Sequence, residues 1–97
     1  MFCINVWLTV KDEANIPKVG EYLTQIVKGT LGVEPGCLRI EVYHSTNDPA
    51  RYLLCEHWKS EDDWKGHREE PPFLEIYQPK VLPLCEREPH ICDLVAS

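Results

Sequence analysis

The chain has 97 residues, enough for one domain with a single core but marginal for a domain standing alone, so self-association would help it. Sixteen acids against ten bases give a formal charge of −6, which argues against nucleic-acid backbones and anionic membrane surfaces as partners. No stretch reaches the ~20 apolar residues of a membrane span, the composition is globular, and a soluble, cytoplasmic protein is expected.

The opening "FCINVWLTV" alternates as a strand does. Phe2, Ile4, Val6, Leu8 and Val10 fall on one face, and Cys3, Asn5, Trp7 and Thr9 on the other. Both faces are largely apolar, so cover is expected on both sides. With no basic segment ahead of it, this start does not read as a secretory signal.

A helix is predicted next, capped by Asn15 with Pro17 in its first turn. Ile16, Val19, Leu23, Ile26, Val27 and Leu31 recur at spacings of three and four and form its apolar stripe. Gly29 and Gly32 mark its end, and "EPG" at 34–36 is a turn. "CLRIEVYHS" is a second strand, with Leu38, Ile40 and Val42 facing one way and Arg39, Glu41 and Tyr43 the other. "RYLLCEHWK" pairs with it as a hairpin across "TNDPA".

In "SEDDWKGHRE" Ser60 caps a short helix, and Glu61, Asp62 and Asp63 suit the positive end of its dipole. "PPFLEIYQPKVLPLC" restarts a helix with the stripe Phe73, Ile76, Tyr77, Val81 and Leu84. Pro79 should kink it and Pro83 should end it. "EREP" reads as a loop and "HICDLVA", residues 90–96, as the last strand. The order β-α-β-β-α-β predicts an α+β, ferredoxin-like single domain over residues 1–97, with an antiparallel sheet and its helices on one face. The other face carries Trp7 and Tyr43 and calls for a cover, most simply a second copy of the chain. Cys3, Cys37, Cys55, Cys85 and Cys92 are odd in number with no CxxC, and read as reduced thiols, not as a disulfide framework or metal site.

Three segments, "EPGCLRIEVY" (34–43), "RYLLCEHWKSEDDWKGH" (51–67) and "PPFLEIYQPKV" (71–81), carry a resemblance. They resemble the antibiotic-biosynthesis-monooxygenase (ABM) family of dimeric α+β barrels. The pattern is a Pro-Gly turn before a strand, a strand ending in Glu-x-Trp, a His nine residues on and an aromatic residue six beyond that. Glu56, Trp58, His67 and Phe73 fill those places. The closest look is to quinol monooxygenases and autoinducer-degrading members. That resemblance implies a cofactor-independent homodimer with a pocket between sheet and helices, acting with O2 on a small aromatic such as a quinol or phenol. The haem-degrading branch matches less well. Its Trp and His positions hold His67 and Tyr77, and Asn5 is one residue off, hence on the other face of the strand.

On this resemblance His67 is the candidate base, since imidazole titrates near neutrality and can take a phenolic proton. Glu56 lies among apolar neighbours and should be paired or functional; it is the candidate partner of His67. Trp64 is three residues before His67, so both can share a helix face, and with Tyr77, Phe73 and Trp58 it is a candidate wall for an aromatic ligand. Asn5 could orient O2 or a substrate carbonyl. The competing functions are a non-catalytic ligand-binding or stress-response protein on the same fold, or an isomerase of a small carbonyl compound. A small closed pocket filled by Trp64, Phe73 and Tyr77 would favour the binding protein. An open cavity of a few hundred cubic ångströms, on the order of usual ligand pockets, lined by His67 and Glu56 would favour the enzyme.

Overall fold

The computed structural model describes residues 1–97. Four strands, β1 (Phe2–Val10), β2 (Cys37–His44), β3 (Arg51–Trp58) and β4 (Cys85–Cys92), form one antiparallel sheet in the order β2-β3-β1-β4. Helices α1 (Ile16–Thr30), α2 (Glu61–His67) and α3 (Pro72–Val81) connect them. This is the ferredoxin-like α+β arrangement that the element order implies. No helix is long and apolar enough to cross a membrane.

The core lies between the helices and one face of the sheet. Ile4, Val6, Leu8 and Val10 of β1 meet Val19, Leu23 and Ile26 of α1 and Tyr77 and Val81 of α3. Leu31, assigned to the α1 stripe from spacing, falls past the helix end and is exposed. Gly32 there adopts φ +77°, a left-handed turn that few other residues accept. The start of α1 also differs. Asn15 makes no capping bond; Asp12 instead accepts the Ala14 N–H at 3.0 Å and caps a short 3₁₀ turn ahead of the helix.

β2 contains a bulge between Cys37 and Arg39. The extra residue is Leu38, which turns outward and is 49 % exposed, while Cys37 takes the inward place expected of it. The last strand starts at Cys85 and includes "EREP", which is therefore not a loop, and ends at Cys92. β4 is held by pairing with β1 from Cys3↔Cys92 to Val10↔Cys85, and long-range pairing overrides its weak strand propensity. Pro89 is tolerated because β4 is an edge strand.

α3 contains Pro79 yet runs unbroken to Val81. It is wound widely, with the Leu82 N–H reaching the Tyr77 carbonyl five residues back. A 3₁₀ turn, Leu82–Leu84, then carries Pro83 and leads into β4.

Candidate functional site

Between the inner sheet face and α2 and α3 lies a cavity of about 250 Å³. Val6, Ile40, Leu54 and Glu56 from the sheet form its floor. Trp64, His67 and Arg68 come from α2 and its end, Phe73 and Tyr77 from α3, and Arg87 from β4. The volume is below the ~300–1,000 Å³ of drug-sized pockets, which suits a small ring.

Local sequence explains how α2 delivers its side chains. The Ser60 hydroxyl accepts the Asp63 N–H at 3.1 Å and fixes the start of the helix. Seven residues later His67 ends it, and Pro71 and Pro72 turn the chain into α3. Trp64 and His67, three apart, both face the cavity. Trp64 is held by stacking on Phe2 at 5.0 Å between ring centroids.

His67 is only 6 % exposed. Its Nδ1 lies 2.7 Å and 3.0 Å from the two carboxylate oxygens of Glu34, itself buried. An ionised carboxylate only accepts, so Nδ1 carries a hydrogen and donates it. In the neutral ring Nε2 is then the atom that can take a proton. Glu34 is fixed by its own backbone: its N–H donates to the Thr30 carbonyl at 3.0 Å, and its carbonyl accepts from Cys37 at 3.0 Å. The loop is pressed onto α2, since Gly36 sits where any side chain would collide with Asp63.

Glu56, expected as the partner of His67, bonds elsewhere: its carboxylate accepts the Trp58 indole N–H at 3.0 Å. Trp58 is buried behind the site, its ring 4.8 Å from that of His67, and does not line the cavity. It steadies the imidazole and Glu56 together. Burial raises the Glu56 pKa above the ordinary carboxylate value; the Trp58 hydrogen bond and the electrostatic pull of His67 and Arg87 oppose the rise, and Glu34 adds to it. Burial likewise raises the Tyr77 pKa, against the pull of Arg87, whose Nε donates to the Tyr77 hydroxyl at 3.1 Å. Phe73 bridges the set, its ring 6.1 Å from His67 and 5.5 Å from Tyr77.

The fold thus gathers His67, Glu56, Trp64, Phe73 and Tyr77 around one cavity. It does not bring Asn5 there. Alternation in β1 points Val6 into the cavity and Asn5 to the opposite face, where its amide donates to Cys92 Sγ at 3.5 Å. Three residues escaped sequence reasoning. Glu34 looks like a turn residue, Arg68 like a solvated helix end, and Arg87 lies in a segment that reads as a loop. Once β4 is seen to start at Cys85, its period places Arg87 on the helix-facing side. Of the thiols, burial pushes Cys37 up to about 11, helped by Glu56 and Glu34, and Cys85 up to about 11. Both stay protonated near neutrality and are poor nucleophiles.

Solved structures share this architecture. One is an antibiotic biosynthesis monooxygenase, 20% identical, with a TM-score of 0.87 over 99% of this chain and 100% of that one. A conserved protein from Methanosarcina mazei is 24% identical at a TM-score of 0.79, covering 95% and 92% of the two chains. A Mycobacterium tuberculosis protein is 17% identical at 0.85, covering 100% and 98%. At such identities the likeness concerns the fold. None of the curated proteins matches the chain. The family model for antibiotic biosynthesis monooxygenases does match, over residues 1–78, a span that includes His67, Glu56, Glu34 and Tyr77. That match covers most of the sequence, and the chain belongs to the antibiotic biosynthesis monooxygenase (ABM) family.

Proposed function

We propose that the protein is a cofactor-independent monooxygenase that oxidises a small quinol or phenol with O2, working as a homodimer. The observation that carries this reading is the cavity itself. A base anchored by a buried carboxylate, His67 on Glu34, opens onto a small space walled by aromatic and aliphatic side chains.

The chemistry follows from that geometry. A bound quinol gives a hydroxyl proton to His67 Nε2, and the Glu34 carboxylate balances the imidazolium that forms. The resulting anion is electron-rich enough to pass an electron to O2, and recombination forms a C–O bond on the ring. Loss of water leaves the hydroxyquinone. Overall, one quinol and one O2 give one hydroxyquinone and one water, with every electron supplied by the substrate. Glu56 lines the same cavity, and burial raises its pKa above the ordinary carboxylate value. Val6, Ile40, Leu54 and Phe73 keep water from the radical pair.

Oxygen uptake with a panel of small quinols tests this. Wild type should consume O2. His67→Ala should be slower by about 100-fold or more, and Glu34→Gln, which keeps an acceptor but loses the charge, by about tenfold or more. Equal rates in wild type and His67→Ala would remove the histidine from the mechanism. Turnover of a small carbonyl compound without O2 uptake would point to an isomerase.

A further inference from the structure

Resting on the reading of this cavity as a site for a small aromatic, we propose that its substrate carries a carboxylate, held at the rim by Arg87 and Arg68. The chain has six lysines and four arginines. No lysine lines the cavity, whereas two of the four arginines do. The other two are occupied on the opposite sheet face: Arg39 pairs with Glu41 at 2.6 Å, and Arg51 lies 4.3 Å over the Trp7 ring.

Arg68 and Arg87 form no ion pair in a protein of net charge −6. Arg87 spends only its Nε, on the Tyr77 hydroxyl, and its two terminal nitrogens have no side-chain partner. The Tyr77 hydroxyl accepts that bond and still has its own hydrogen to give. Arg68 lies with its guanidinium carbon 5.5 Å and 5.7 Å from the Trp64 and Phe73 ring centroids. Cation–π attraction holds the guanidinium near both rings, and its N–H groups have no side-chain partner.

The other titratable groups lining the cavity are His67, Glu56 and Tyr77. His67 and Glu56 are buried, while both arginines are exposed, so the cavity is graded: apolar and weakly charged within, cationic at the rim. A planar guanidinium matches a carboxylate through two parallel N–H bonds, which a lysine cannot offer. A ligand satisfying both ends has a hydroxylated ring inward against His67 and a carboxylate outward against Arg87.

Calorimetric binding of gentisate, a carboxylated quinol, and of its neutral carboxamide, both without O2, tests this apart from turnover. Wild type should bind the acid at least about tenfold tighter than the amide, a preference that falls with added salt. Arg87→Gln should bring the two to equal affinity, Arg68→Gln should narrow the gap, and Arg87→Lys should restore part of it. Equal wild-type affinity for acid and amide would overturn the carboxylate site and leave the aromatic pocket standing. A preference that persists in the Arg68→Gln/Arg87→Gln double variant would overturn the role of the arginines. Binding of neither ligand would overturn this inference and the reading beneath it together.

Discussion

Glu56 is an acid that folding makes harder to ionise, because burial outweighs the Trp58 hydrogen bond and the pull of His67 and Arg87. A carboxyl whose pKa is raised in the folded state binds its proton more tightly there than in the unfolded chain. Stability therefore falls as pH climbs from the ordinary carboxylate range through the raised value, then levels off. Glu56→Gln removes that loss. In thermal melts between about pH 4 and about pH 8, the advantage of Glu56→Gln over wild type should grow with pH and then stay constant. Parallel curves would mean that Glu56 ionises in the folded protein as it does in the open chain. Most of this cluster is legible in sequence: strand period places Glu56 inward, and helical spacing sets Trp64 beside His67 and Phe73 beside Tyr77. Glu34 is not legible. It sits in a turn, 33 residues from the histidine it holds, and only tertiary packing brings them together.

The loop 31–36 and the helix α2 form a single device for placing His67 against Glu34. Gly36 is its tightest point: a Cβ there would lie 2.5 Å from the Asp63 Cβ. Gly36→Ala should cost ~1–3 kcal/mol, read by urea denaturation, and should lower activity by displacing Glu34. Gly66, one residue before His67, is the contrast, because an added Cβ meets nothing within 4 Å. Gly66→Ala should stabilise by ~0.5–1 kcal/mol, since alanine is the better helix former. A Gly36→Ala protein as stable as wild type would separate the loop from the placement of the site. Elements with strong periodicity, β1, α1 and β3, are readable from the chain. β4 is not, because "CEREPHIC" is charged and mostly exposed and becomes a strand only by pairing with β1. The bulge at Leu38 is hidden for a related reason: register is settled against the partner strand, so alternation alone assigns the wrong face.

Across the whole molecule the helices cover one face of the sheet, and the molecule is only 18 Å deep along its shortest axis, about two layers. The uncovered face presents Trp7, Leu53, Cys55 and Tyr43, all at least partly exposed. A second copy laid on that face would bury them, and sedimentation at micromolar concentration is expected to give a dimer; a stable monomer would contradict it. Topology was readable from element order alone, and the cavity follows from it, since α2 and α3 must both cross the inner face of the sheet. Its small volume and cationic rim depend on side chains that no periodicity announces. Insertion of oxygen from O2 into a small ring within this cavity is tested most directly by turnover of a quinol under ¹⁸O2, followed by mass spectrometry. The product should gain one labelled oxygen, with the other found in water; an unlabelled product would contradict the account.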